Sequence, residues 1–311
     1  MGMIIPVSSF SSNAFASLKF LLNSNCWLST YSNRPAKLFQ GVEQRLTIII
    51  THNSLQSNIK TSSYKHWYEK ERQNIFNTLS YGNSFVHRNN IVYKIGNSIE
   101  NSIIQKIRTN IKFEPTQILN SVQDNACWFH DSPTYWIRSF AFCPNSTTVS
   151  DKSNHYHQIY TWTKSDANIL AAVLASSVFY LFFKNISNCR DFSIKEIIDF
   201  PFNNVSENNL KQLSDMGEKM QDVLKDTALK TKRHYPSGDV EYYEYYPYKA
   251  KQTIDEIDKV LAKHYGFTDE ELDYIINYDI KYRMGDSLNG GDNDEEWYCF
   301  IHRQYWYSQC S

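Results

Sequence analysis

None of the six cysteines stands in a Cys-x-x-Cys pair, none of the ten glycines lies two positions from another, and no two of the eight prolines are adjacent. Scattered cysteines exclude a zinc knuckle or a disulfide framework and fit reduced thiols in a cytoplasm. Without Gly-x-Gly there is no glycine-rich turn to bring backbone amides against a nucleotide-like cofactor. Gly-x-Ser-x-Gly, His-Glu-x-x-His and the Walker loop are also missing, which removes the serine-hydrolase, zincin and P-loop chemistries. Charge of either sign is not in excess: the net charge is -1. That balance neither marks nor excludes a nucleic-acid partner, because a basic groove coexists readily with an acidic remainder. The longest apolar run, ILAAVLASSVFYLFF at residues 169–183, falls short of the roughly 20 residues a membrane span needs, and Lys164, Asp166 and Lys184 flank it. It reads as a buried core helix, and no membrane is expected. No basic segment precedes an apolar run at the N-terminus, so no signal peptide is expected. Met1-Gly2 is followed by Pro6 where myristoylation requires Ser or Thr.

What is present is a globular composition: 41% hydrophobic and 21% charged residues over 311 positions. That suffices for one large domain or two to three small ones with a packed core. Aromatic content is high at 15%, with 22 Tyr, 18 Phe and 7 Trp. Such rings suit binding surfaces and ordinary cores alike. Asn145-Ser146-Thr147 and Asn185-Ile186-Ser187 match the glycosylation sequon, which arises by chance in a chain rich in Asn and Ser.

Along the chain, residues 3–7 read as a short strand, residues 14–22 as a helix capped from Ser11, Ser12 or Asn13, and residues 27–31 and 46–51 as further strands. A strand, a helix and more strands belong to an α/β sheet, yet one helix cannot cover both of its faces. From residue 53 to about 205 the pattern is mixed α+β, with strands expected at 91–95 and 135–142 and helices at 98–109 and 166–183. Leu210, Leu213, Met216, Met220, Val223 and Leu224 recur at helical spacing, which predicts an amphipathic helix over 207–230. A hairpin is expected about residues 236–239, and a helix over 250–264 ended by Gly266. Another helix is expected to open on Thr268, with Glu271 completing a capping box.

Several segments, taken in order, resemble one family. MIIPVSSFSSNAFASLKFLL followed by NRPAKLFQGVEQRLTIII is similar to the last sheet strands of the adenine-N6 DNA methyltransferases of type IIG and related restriction-modification systems. YKIGNSIENSIIQKI, YWIRSF, ILAAVLASSVFYLFF with NCRDFSIKEIIDFPF, and DEIDKVLAKHYGFTDEELDYIINYDIKYRMGD resemble the recognition region and helical tail of the same enzymes. The resemblance covers most of residues 1–286. It implies an α/β plus α+β chain: a C-terminal remnant of a Rossmann-like methyltransferase sheet at 1–52, a target recognition domain at 53–205, and a helical tail with a Tyr-rich hairpin at 206–286. Residues 287–311 stay unassigned.

The same resemblance implies double-stranded DNA as the partner and S-adenosylmethionine as the cofactor of the complete enzyme. Two elements of that enzyme are missing from this chain: the glycine-rich turn, and the Asn-Pro-Pro-Tyr type loop whose polar groups orient the adenine amino group. In the family both lie upstream of the first segment matched here. The chain is therefore expected to be inactive in methylation alone, as a truncated methyltransferase or as one half of a split one whose N-terminal catalytic half is a separate chain. A distinct specificity subunit docking on a catalytic partner is the alternative. Judged from the residues alone, Phe39 reads as a core side chain; the resemblance places it against an extruded adenine. Arg34, Lys37 and Arg45 flank it as candidates for phosphate contacts. Arg138, Arg190 and Lys195 fall in the recognition region, where arginine is the commonest reader of guanine edges, although Arg190 beside Asp191 equally suits an ion pair holding a turn.

Competing chemistry is thin. His155 and His157 alternate as in a strand, but no Cys or carboxylate at suitable spacing joins them into a metal site. Asp279-Ile280-Lys281 matches three letters of a nuclease motif and lacks its acidic partner.

Overall fold

β-branched residues open the chain as strands, and their register fixes which of them are buried. The computed structural model describes residues 1–22, 26–51, 59–86, 91–109, 123–144, 155–235 and 238–285. A first sheet contains β1 (Gly2–Pro6), β2 (Cys26–Tyr31), β3 (Leu46–Thr51), β4 (Ile59–Lys65) and β5 (Gly82–Asn83), in the order β1-β3-β2-β4-β5. β1 and β2 are both antiparallel to β3, and β2 is parallel to β4, so β1, β2 and β4 run in one direction. The connection from β1 to β2 is helical, through α1 (Ser8–Ser11) and α2 (Ala16–Leu22). The helix expected at 14–22 opens as a 3-10 turn at Asn13–Phe15 before α2, and α1 precedes it as an added turn; Ser12 between them is extended and its side chain caps nothing.

The two faces of this sheet are treated differently. Met3, Ile49 and Leu28 are cross-strand neighbours and point one way. With Phe10, Cys26, Ile59 and Val92 they make a buried apolar cluster. On the opposite face, Tyr31 packs with Ala36, Trp67 and Ile75 at one end only. At the other end Ile50 is 55% exposed, Ile4 49% and Trp27 36%. Three of the four strand pairings are antiparallel, a kind of sheet that often leaves one face to solvent, and this end carries exposed apolar side chains.

β4 and β5 lie beyond residue 52, so the sheet draws on residues expected in the recognition region. β4 is not legible as a strand in the sequence, because IKTSSYK is polar where a buried strand should be apolar. Its side chains are buried through hydrogen bonds instead. Thr61 Oγ1 both donates to the Ile95 carbonyl (2.9 Å) and accepts from the Ile95 amide (2.7 Å). That exchange replaces a strand ladder, and residues 91–95, expected as a strand, form only an isolated bridge at Val92.

After the first sheet come α3 (Ser98–Thr109), as expected, and a three-stranded antiparallel sheet of order β7-β6-β8. Its strands are β6 (Asn125–His130), β7 (Ser139–Phe140) and β8 (Tyr156–Thr161). The strand expected at 135–142 is reduced to the two residues of β7. The apolar run at 166–183 is two helices, α4 (Lys164–Ala175) and α5 (Ser177–Ile186), bent by 61° at Ser176. The sequence hides this break because both helices are buried all round and show no polar face. Thr163 caps α4, with Asp166 returning the bond, and Ser176 caps α5. No single helix among the described residues is long and apolar enough to cross a membrane.

Helix α5 is sealed at both ends by side chains from elsewhere. Buried Asp258 accepts the Ser177 and Val178 amides at 2.8 and 3.2 Å. Buried Lys94 donates through Nζ to the carbonyls of Lys184, Asn185 and Ser187 at 3.0, 3.0 and 2.7 Å. A negative group at the N-terminus and a positive one at the C-terminus complement the helix dipole. Asn185 of the second sequon is itself buried and donates to the Leu181 carbonyl. The sequon at Asn145 lies outside the described residues.

After α6 (Ile194–Asp199), helix α7 (Glu207–Asp226) is shorter than the expected 207–230. The chain turns at Thr227 and enters β9 (Leu229–Tyr235), which pairs with β10 (Gly238–Glu244) as the expected hairpin. Ion pairs Lys230–Glu241 and Lys232–Asp239 cross it at 2.6 and 2.8 Å. α8 (Lys251–Tyr265) ends at Gly266 in the left-handed region (φ 67°), and α9 (Asp269–Asn277) opens with the Thr268–Glu271 capping box, both as expected. Buried Glu100 accepts from Ser63 Oγ (2.7 Å), the Gly96 amide (2.6 Å) and the Tyr274 hydroxyl (2.9 Å), tying β4, α3 and α9 together. Residues 1–278 form one compact unit of mixed α and β structure. In the second unit, α10 (Ile280–Met284) follows Asp279, whose carbonyl accepts the Tyr282 and Arg283 amides. The aromatic-rich ending at 287–311 lies outside the described residues.

Candidate nucleic-acid interface

In open α/β sheets, ligands sit beyond the carboxyl ends of the parallel strands. Here those ends belong to β1, β2 and β4, and the longest loop leaving them is residues 32–45. It is pinned rather than loose. The Ser32 amide donates to the Lys65 carbonyl (2.9 Å) and the Ala36 amide to Trp67 (3.1 Å). Arg72, oriented by Glu69, donates to the carbonyls of Leu38 and Lys37 at 3.1 and 2.6 Å. Asn33 Nδ2 donates to the Glu43 carbonyl at 2.7 Å and closes the base. At the tip the Val42 amide donates to the Phe39 carbonyl (3.3 Å) across a turn in which Gly41 has φ 75°. A left-handed third residue is what such a turn demands, and glycine meets the demand without strain.

Phe39 stands at the start of this turn, 44% exposed. It fills no core, contrary to what its residue type alone suggests. Lys37 is ion-paired with Glu43 across the loop. Arg34 and Arg45 are half-buried at the base, and Arg34 Nε and Arg45 Nε are sealed from solvent. Burial lowers the Arg34 pKa, and the Arg45 guanidinium lowers it further. The loop thus gathers four of the seven candidate residues.

The other three lie apart. Arg190 is exposed, 3.6 Å from an equally exposed Asp191. That pair does not hold the turn. Asn188 Oδ1 does, accepting the amides of Arg190 and Asp191 at 2.7 and 3.0 Å. Lys195 lies on α6, near enough to Lys19 of α2 to depress its pKa, after burial. Arg138 donates to the Ser132 carbonyl and sits 3.0 Å from His130 Nδ1.

Sequence reasoning misses the group around Arg138. A carboxylate that no sequence spacing signals does meet His155 and His157: Asp131, just past the end of β6. Its Oδ1 lies 3.0 Å from His155 Nδ1, and its Oδ2 lies 3.5 Å from His157 Nε2. The separation of 24 residues between Asp131 and His155 leaves no spacing signal. Among the described residues, no three His, Cys, Asp or Glu side chains are arranged to hold a metal ion. The outer face of β6 and β8 is missed for the same reason. By register Trp128 neighbours Gln158, Ala126 neighbours Tyr160 and His130 neighbours Tyr156, a half-exposed aromatic face opposite the one on which α4 packs.

His130 provides a pH test of this geometry. Its Nδ1 accepts the Ser132 amide at 3.1 Å, so that nitrogen carries no proton. Burial, then Arg138, His155 and His157, push its pKa from 6.5 down to about 2. The unfolded chain takes up this proton near pH 6.5 and the folded chain does not, so stability is full above that pH and is lost as pH falls. One such group contributes a slope of about 1.4 kcal/mol per pH unit. In urea titrations between pH 6.5 and 4, His130→Asn, which keeps an acceptor, is expected to flatten the decline by about one proton. An unchanged slope in the variant contradicts a neutral His130 in the folded chain.

The sequence matches no protein-family model, and no curated protein is significantly similar to it.

Proposed function

We propose that this chain is the C-terminal, target-recognising portion of an adenine-N6 DNA methyltransferase of a restriction-modification system, that it binds duplex DNA, and that it does not methylate unaided. The ordered set of family-like segments raises this reading. The observation that carries it furthest is the unfinished first sheet. β1 has a strand on one side only among the described residues, and Ile4 and Ile50 are exposed on one face, beside a Trp27 partly covered by Tyr81 and Lys60. A sheet in this condition suits a further strand and a covering helix from a partner chain that bears the cofactor-holding half. The same surface suits the alternative, a specificity subunit docking on a catalytic partner.

In this reading S-adenosylmethionine is held by the partner chain that bears the glycine turn; the β1–α1 junction here is Val7-Ser8.

In the proposed complex Phe39 stacks on an extruded base. Such stacking contributes about 1–3 kcal/mol per base. Phe39→Ala is therefore expected to weaken duplex binding by that amount in fluorescence anisotropy while leaving the urea midpoint in place, since the ring is exposed. Equal DNA affinity in wild type and variant removes Phe39 from the interface.

A further inference from the structure

We propose that Arg72 is the positioning residue of the Phe39 loop, holding the ring ready for a base without touching DNA itself. This role rests on the stacking function given to Phe39 and adds the device that aims the ring.

A ring that is 44% exposed is not aimed by packing. Its direction comes from the backbone, whose planar peptide groups leave each residue only φ and ψ. Both peptide planes that flank Phe39 are held. The carbonyl of the preceding plane, that of Leu38, accepts from Arg72 Nη1 at 3.1 Å. The carbonyl of the following plane, that of Phe39 itself, accepts the Val42 amide at 3.3 Å. One plane further back, Arg72 Nη2 holds the Lys37 carbonyl at 2.6 Å. The Cα–Cβ bond of Phe39 is thereby directed, and the side-chain torsions are the freedom left to the ring.

Arg72 is itself preset. It lies in a short 3-10 helix, Glu69–Asn74, that follows β4. Glu69 grips the guanidinium with both oxygens: Oε1 accepts from Nε, and Oε2 accepts from Nη2 at 2.9 Å. Trp67 and Ile75, just before and just after that helix, share a buried cluster with Ala36 of the loop, and Leu38 packs against it. Four of the five guanidinium N–H donors are thus committed to the loop and to Glu69. A planar fork suits two successive carbonyls, whereas a lysine ammonium is a point charge on a flexible stem. A loop ordered beforehand removes its ordering cost from the binding step.

The test uses the full chain and a labelled duplex carrying one unpaired adenine, which is extruded more easily than a paired base. Arg72→Lys keeps the charge and loses the fork; Arg72→Gln loses both. Each is expected to stay folded by circular dichroism and to speed hydrogen exchange at the Val42 amide by about tenfold. Each is also expected to weaken duplex binding by about fivefold to tenfold. The dependence of affinity on salt is expected to match wild type, whereas a lost phosphate contact lowers the slope by about 0.9. Added to Phe39→Ala, Arg72→Lys is expected to cause no further loss, because it acts through the ring. Glu69→Gln, which reaches the loop only through the guanidinium, is expected to move exchange and affinity in the same direction by less. Unchanged exchange at Val42, wild-type affinity in Arg72→Lys, losses that add, or a lowered slope in Arg72→Gln overturns the positioning role and leaves DNA binding standing. No duplex binding by wild type, or equal binding by Phe39→Ala, brings down the stacking reading and this role with it.

Discussion

Asp258→Ala is expected to lower the stability of this protein by about 3–5 kcal/mol, the range for breaking a buried charged interaction from one side. The carboxylate lies on α8, and its Oδ1 accepts the first two amides of α5. Alanine leaves those amides in a region that water does not reach, and each unmet donor costs about 1–3 kcal/mol. α5 is buried over its whole length, so it cannot turn its N-terminus outward to recover the loss. Asp258→Asn retains an acceptor and is expected to lose less than half as much. Urea unfolding by circular dichroism distinguishes the two; equal and small shifts contradict the capping role.

The opposite end of α5 gives the second large effect. Lys94→Met keeps the length of the side chain and removes the donors that meet three carbonyls. A loss of about 2–4 kcal/mol is expected, because buried acceptors tolerate an unmet state somewhat better than charged groups do. The Asn185 carbonyl retains the Lys94 amide at 3.3 Å, and Cys189 Sγ still lies 3.4 Å from the Lys184 carbonyl. Burial lowers the Lys94 pKa, yet the three acceptors call for three donors. Asp258 and Lys94 share no partner and cap opposite ends of one helix. The double variant measures whether α5 holds the layers together as a unit: losses larger than the sum indicate that it does.

These charges also show why parts of the fold are legible in the sequence and others are not. Helix α3 and the start of α9 announce themselves through periodicity and a Thr-x-x-Glu box, signals local to the chain. β3, LTIIIT, does so by β-branching. β4 hides because two of its four buried positions are Thr61 and Ser62, made acceptable by hydrogen bonds to segments far away in sequence. The break at Ser176 hides because hydrophobicity surrounds it on both sides, and the caps that force it are Asp258, from 81 residues on, and Ser176 itself. The candidate site divides in the same way. Gly41 and the basic residues about Phe39 lie on one loop and are visible together. The meeting of Asp131 with His155 and His157 is made by the pairing of β6 with β8, and nothing local encodes it.

The uncovered sheet end bears on handling as well as on function. Ile4, Trp27 and Ile50 form apolar surface of the sort that draws a partner or a second molecule. In the proposed complex that partner carries the glycine turn and the adenine-orienting loop, and this chain contributes the grip on DNA.

Fluorescence anisotropy of the full chain with labelled duplex DNA, repeated from 50 to about 200 mM salt, probes that grip most directly. Each phosphate neutralised contributes about -0.9 to the slope of log affinity against log salt. Tight binding at the low end and a steep, linear fall are therefore predicted. No binding at the lowest salt, or binding that ignores salt, contradicts a DNA-gripping chain.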